Sequence, residues 1–236
     1  MEDKWYKNNI QSVLGENVVF LPAPIPSKGL IIFFSAMNSD KEFDRINWFR
    51  DIDSRCGFSF LFLNDSNYTY YLGNDYKPLF HTYEKIINYF KEMENVGGNV
   101  FAVGSSMGGY AAIYYAFRMG LKGAIVGVPQ TREKYARMHT QMNWTKAIKS
   151  TGTQWIDMDV LLRQPHIELP NLYLEYGNYP SDKFSAEKLI DIYKDRAGLI
   201  ISRKAKGCEH SYFMSPKIIM SSVDFFMNED FNKHYR

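Results

Sequence analysis

Short apolar runs recur along the chain at 18–21, 30–34, 58–63, 100–103, 124–128, 172–176 and 199–202, and longer amphipathic stretches separate most of them. Several runs, Leu30-Ile31-Ile32-Phe33-Phe34 among them, show no apolar/polar alternation. That is the signature of strands covered on both faces. Strand-like runs alternating with helix-like stretches predict βαβ units, and so an α/β fold with a mostly parallel central sheet flanked by helices on both faces. Helices are predicted over 42–49, 82–93, 107–119, 186–193 and 217–227. In the second of these Ile86, Ile87, Tyr89 and Phe90 fall at helical spacing, and Gly97-Gly98 ends the pattern. Pro22, Pro24 and Pro26 suit a loop or a sheet edge over 19–28 rather than a central strand.

One stretch breaks the rhythm. Between Val128 and Leu172 lie about forty residues of mixed polarity, including Trp144 and Trp155, and a compact connection needs far fewer. Residues 131–170 are therefore predicted to form a helical insertion before the penultimate strand, which in a hydrolase would act as a lid or cap. No repeat or linker divides the chain, so 1–236 is expected to be a single domain, long enough to bury a core without disulfide or metal support.

Composition narrows the function. A net charge of +2 gives no footprint for nucleic acid or an anionic membrane surface, and no apolar run is long enough to insert into a bilayer. The N-terminus carries early charge and no apolar core, so no secretory signal is expected; Cys56 and Cys208 then read as reduced thiols of a cytoplasmic protein. Aromatic residues reach 16%, with 17 Tyr and 17 Phe. Such side chains fill cores first, although a groove lined with Tyr would also suit sugar or acyl ligands.

The chemistry concentrates at Val103-Gly104-Ser105-Ser106-Met107-Gly108-Gly109, which holds G-x-S-x-G with Ser106 at its centre. The glycines have a steric reason: a serine on a sharp strand-to-helix turn has a strained backbone, and side chains two residues either side would collide. Chance supplies the bare pattern in roughly one chain of this length in ten. Here an apolar strand runs into it and an Ala-rich helix runs out, so Ser106 is the candidate nucleophile. Ser105 is a rival without glycine at both flanking positions. The bland alternative is a glycine-rich turn with a capping serine.

A nucleophilic serine needs a base, and the base needs an orienting acid. Of five histidines, His210 follows the last predicted strand and precedes the final helix; His81, His139, His166 and His234 are less well placed. In the order Ser…Asp/Glu…His, Asp182 lies soon after the strand at 172–176 and is the candidate acid. Glu175, at the strand end, is the runner-up, though strand alternation argues against it. Asp157 and Asp159 are weaker candidates inside the insertion, and Asp182 itself has a simple alternative as a helix cap. An oxyanion hole is expected from the backbone N–H of Met107 and, from the loop Ser35-Ala36-Met37-Asn38, that of Met37. There is no phosphate-binding glycine loop, H-E-x-x-H or paired C-x-x-C, so neither cofactor nor metal is implied.

The strand–G-x-S-x-G–helix unit, the later Asp182 and the late His210 resemble the α/β-hydrolase superfamily over roughly residues 28–228, and its esterase-like members in particular. Asn67…Tyr70-Tyr71-Leu72-Gly73 and Val128-Pro129-Gln130-Thr131 are further similar to hydrolase-like proteins that accompany bacterial polysaccharide biosynthesis. The chain departs from the superfamily pattern in reading Ser35-Ala36 in place of His-Gly, and in setting Asp182 farther past Gly177. The resemblance implies attack of Ser106 on an acyl carbonyl, with a small-molecule or glycan ester as substrate. Alternatives are an acyltransferase or non-catalytic accessory protein of polysaccharide biosynthesis, or a thioesterase or peptidase built on the same residues.

Overall fold

Strand β3 (Leu30–Phe34) lies in the middle of the sheet and is wholly buried, as its unbroken apolar sequence requires. The computed structural model describes residues 5–24, 26–37, 42–138, 143–206, 210 and 214–233. Around β3 run β1 (Ile10–Val13), β2 (Glu16–Leu21), β4 (Ser59–Leu63), β5 (Val100–Ser105), β6 (Gly123–Gly127), β7 (Asn171–Tyr176) and β8 (Ile200–Lys204). Their order is β1-β2-β4-β3-β5-β6-β7-β8, with the β1–β2 and β2–β4 pairs antiparallel and every other pair parallel. The chain steps outward from β3 to β4 and then returns across β3 to β5. This reversal opens a crevice at the carboxyl ends of β3 and β5, where α/β sheets bind ligands.

Helices cover both faces. On one lie α1 (Phe80–Glu94) and α2 (Met107–Arg118), with α3 (Glu133–Ala136), α4 (Trp144–Ser150), α5 (Met158–Leu161) and α6 (Pro180–Asp195) completing the layer. On the other, α7 (Pro216–Lys233) and short 3-10 turns pack on Phe33, Phe60, Phe101 and Ile125. Helix α2 is buried from Met107 to Phe117, which accounts for its nearly uncharged sequence.

Two local expectations change. The stretch 42–49 is not an α-helix. Only a 3-10 turn at Ile46–Phe49 forms, because Arg45 adopts a left-handed backbone (φ 63°) that breaks helical continuity. The N-terminal strand β1 pairs with β2, although its sequence, IQSV, carries no apolar run; the prolines follow β2 rather than interrupting it.

The aromatic residues fill the core, and several tyrosines use their hydroxyls as tethers. Tyr71 donates toward the carbonyls of Ser35 and Leu63 at 3.0 Å each, Tyr115 to Tyr71 at 2.7 Å, and Tyr110 to Ile156 at 2.9 Å. Burial raises all three phenols well above their ordinary range, so they remain donors. After β4, Asp65 gathers the chain into a tight loop. Its Oδ1 accepts from the Asn67 N–H at 3.1 Å, and its Oδ2 accepts from the Thr69 and Tyr71 N–H groups and the Thr69 hydroxyl at 2.6, 2.9 and 3.0 Å. The loop needs such a clasp because Tyr68, Tyr70 and Tyr71 all have φ between 55° and 63°, a costly region for aromatic residues.

Replacing Asp65 by Asn would put an NH2 group against at least one of the four donors, the Asn67 N–H in the more favourable orientation, and would remove the negative charge from the others. Asp65→Asn is expected to lower unfolding stability by about 2–3 kcal/mol, measurable by urea denaturation.

Candidate active site

Ser106 stands where β5 gives way to α2, at φ 54° and ψ −119°, a conformation that keeps its side chain clear of both elements. Two glycines make the turn sterically feasible. A Cβ on Gly104 would lie 2.1 Å from the carbonyl oxygen of Gly108, and one on Gly108 would lie 2.1 Å from that of Phe34. The second contact matters as much as the first, since it brings the segment leaving β3 against the start of α2. Met107 opens the helix, so its N–H has no acceptor within the helix and faces the positive end of the helix dipole. Met37 is partly buried on the neighbouring segment; Asn38, beside it, lies outside the described residues.

The Ser106 Oγ is 2.9 Å from Nε2 of His210, and Nδ1 of His210 is 2.9 Å from each carboxylate oxygen of Asp182. An ionised carboxylate only accepts, so Nδ1 carries the proton and Nε2 is left as the acceptor for the serine hydroxyl. Asp182 falls in the first turn of α6, after Pro180 and Ser181, and is only 1% exposed. There it lies at the N-terminal end of the helix and accepts the Ser181 hydroxyl at 3.3 Å. Of the residues between Gly177 and Asp182, Pro180 and Ser181 open this helix and Tyr179 caps it. The His210 ring also packs against Trp144 at the head of α4, with centroids 4.3 Å apart, and against Tyr179 at 6.0 Å.

The rivals lie elsewhere. Ser105 is fully buried and points to the opposite face, where its hydroxyl accepts from the guanidinium of Arg45 at 2.5 Å; Arg45 in turn pairs with Asp44 at 2.8 Å. Glu175 is in register with Gly127, itself in register with Ser105, so its side chain belongs to that same back face. It accepts the Tyr173 hydroxyl at 2.7 Å and lies 3.5 Å from Arg203, and it makes no contact with His210. Burial, together with this bond to Glu175, pushes the Tyr173 phenol up to about 12. Asp157 and Asp159 flank Arg132 at 3.2 and 3.1 Å. His81 pairs with Glu84 on α1, and His166 is exposed in a turn. His139, His234 and Cys208 lie outside the described residues.

Sequence reasoning did not single out Trp144, Tyr179 or Gln130 as site residues. Gln130, 3% exposed, accepts the Tyr70 hydroxyl at 2.5 Å, while its own NH2 group has no hydrogen-bond partner among the described residues. Its place directly after β6 and Pro129, against which Gly109 packs, was the one available signal.

Between β6 and β7, α3, α4 and α5 are bound to the body at several points. The Met158 N–H donates to the Thr131 carbonyl at 2.9 Å, Thr153 bonds Asp75 through its N–H and hydroxyl at 2.8 and 2.6 Å, and Trp155 stacks on Tyr110 at 4.3 Å. Above the carboxyl edge of the sheet lies a cleft of about 530 Å³, lined by Met37, Asn67, Tyr68 and one side of α4. No helix among the described residues is long and apolar enough to cross a membrane.

No family model matches the chain, and no characterised protein does at the level of sequence. Solved structures do match. The capsule O-acetyltransferase of Neisseria meningitidis serogroup A is 16% identical, with 95% of this chain and 98% of that one covered and a TM-score of 0.63. FphF, a fluorophosphonate-binding serine hydrolase of Staphylococcus aureus, is 15% identical over 90% and 92% of the two chains, at a TM-score of 0.68. An S-formylglutathione hydrolase from Agrobacterium tumefaciens is 12% identical over 92% of each, at 0.67. At such identities the likeness is one of fold: the chain has the α/β-hydrolase fold of esterase-like serine hydrolases and of a capsule acyltransferase.

The steric account of the turn has a direct check. Gly108→Ala forces a methyl into the Phe34 carbonyl and should lower the melting temperature by several degrees or abolish soluble expression, whereas Gly97→Ala, with open space around its Cβ but a left-handed backbone at φ 57°, should cost only about 1 kcal/mol.

Proposed function

We propose that this protein is a serine hydrolase of carboxylic esters that works through Ser106, His210 and Asp182. The reading is carried by one observation, the unbroken hydrogen-bond chain from the Ser106 hydroxyl through both nitrogens of His210 to Asp182, on a strained strand-to-helix turn. In this mechanism Ser106 Oγ attacks the acyl carbonyl as His210 Nε2 takes its proton. Asp182 keeps the other nitrogen protonated and stabilises the resulting imidazolium. The tetrahedral oxyanion is met by the N–H groups of Met107 and Met37. Collapse transfers the His210 proton to the leaving alcohol and leaves an acyl-Ser106. Water, deprotonated by His210, attacks that ester, and collapse breaks the acyl–Oγ bond, releasing the acid as His210 returns its proton to Ser106 Oγ.

A second reading keeps the acyl-enzyme and changes its acceptor: a sugar hydroxyl takes the acyl group in place of water. The likeness to the capsule O-acetyltransferase over nearly the full length of both chains favours it. An O-acylated glycan is common to both readings, as the substrate of the hydrolase and as the product of the acyltransferase. We read 131–170 as a cap whose base is bound to the body and whose Trp144 closes over His210; its anchors favour a fixed wall over a swinging lid.

Labelling with a fluorophosphonate, followed by peptide mass spectrometry, should locate the adduct on Ser106 and give none in Ser106→Ala. A folded protein that takes no label would sink the hydrolase reading. With p-nitrophenyl acetate, Asp182→Asn should lower kcat by roughly 10⁴, and His210→Ala by at least as much. Adding a sugar acceptor to the wild type separates the two readings, since an acyltransferase would form acetylated sugar at the expense of free acetate.

A further inference from the structure

The cleft beside the triad has a composition of its own. Its floor is apolar, from Met37 and Ala147, and its walls carry Asn67 and Tyr68 on one side and Asn143, Lys146 and Ser150 on the other. It adjoins the chemistry at both ends. Met37 lies on the segment whose Phe34 carbonyl abuts Gly108 in the first turn of α2, and α4 begins with the Trp144 that packs on His210. The cleft is therefore bordered by the two segments that contact the Ser106 turn and His210.

The wall holding Asn67 and Tyr68 is rigid. It is the loop that Asp65 clasps, with Tyr68 in a left-handed backbone at φ 55° and Tyr70 turned inward to Gln130. Strain held by a buried carboxylate marks a surface whose shape matters. The opposite wall supplies charge. Helix α4, WTKAIKS, has two lysines and no acidic residue, and Lys146 has no carboxylate partner among the described residues.

We propose that this cleft binds the alcohol moiety of the substrate as an anionic sugar, with the ring against Tyr68, its hydroxyls met by Asn67, Asn143 and Ser150, and its phosphate or carboxylate held by Lys146. An aromatic face with flanking amides suits the alternating C–H and O–H surface of a sugar ring, and a solvated ammonium is a point-charge site for an oxyanion. This assignment rests on the triad reading for its place next to the reaction, but binding in the cleft does not depend on turnover.

The test measures affinity in Ser106→Ala, where no chemistry intervenes, by calorimetry with an O-acetyl hexose 1-phosphate, an O-acetyl hexuronate and the neutral O-acetyl methyl hexoside. One or both anionic sugars should bind at least about tenfold tighter than the neutral one. That preference should weaken with added salt, persist in Lys146→Arg and disappear in Lys146→Gln, while Tyr68→Ala should weaken all three. Equal binding of charged and neutral sugars, or a preference that survives Lys146→Gln, overturns the proposal; so does tighter binding of coenzyme A than of any sugar, which would make the cleft a donor site. Fluorophosphonate labelling of the wild type distinguishes the outcomes. A labelled enzyme with no anion preference refutes the cleft assignment alone, whereas a sugar-binding protein that takes no label refutes the hydrolase reading alone.

Discussion

The contact on which the site depends is a backbone one: the carbonyl of Phe34 pressed against Gly108, where not even a methyl group would fit. This approach locks the first turn of α2 to the end of β3. It fixes the strand-to-helix turn relative to the neighbouring loop, and so sets where Ser106 Oγ, the Met107 N–H and the Met37 segment stand with respect to one another. The reversal of strand order at β3 leaves the crevice open above that contact. A sheet of another order with the same strands would carry the same serine and have nothing facing it.

The sheet was legible because its strands are buried on both sides and leave unbroken apolar runs such as 30–34 and 100–103. The edge was less so. Strand β1 owes its pairing to the tight Leu14-Gly15 turn and to β2, not to its own polar sequence. The 42–49 segment has helix-like spacing, yet Arg45 leaves the helical region, and its guanidinium is spent on Ser105 behind the nucleophile turn. No periodicity encodes such a tertiary demand. In the site, Ser106, Asp182 and His210 were nameable from steric and ordering rules, because chain order limits where an acid and a base can fall. Trp144 was not, since its contact with His210 joins two segments far apart in sequence, through an insertion whose path no local rule predicts.

The two faces of the sheet divide the polar residues. Ser106, His210 and Asp182 gather on the side of α2 and α6. Ser105, Arg45 and Glu175 gather on the side of α7, where they form a buried row along the carboxyl edge. The adjacent serines have opposite surroundings because Ser105 is the last residue of β5 and keeps the strand's back face, whereas Ser106 sits on the turn at φ 54° that opens α2. Strand alternation sends Glu175 away from His210 and leaves the acid to α6, whose first turn brings a buried carboxylate with a helix dipole behind it.

The tyrosine tethers have a thermodynamic consequence. Three segments near the crevice are bonded to phenols rooted in the core: the carbonyls of Ser35 and Leu63 at the ends of β3 and β4 by Tyr71, the Tyr71 carbonyl by Tyr115, and the stretch before α5 by Tyr110. A loop so held cannot open without extracting an aromatic ring or breaking a buried hydrogen bond, so its local opening energy is tied to that of the core. The carboxyl end of the sheet and the hydrophobic interior then belong to one cooperative unit. Amide protons in the segments so tethered would exchange on the timescale of global unfolding, not that of surface fraying.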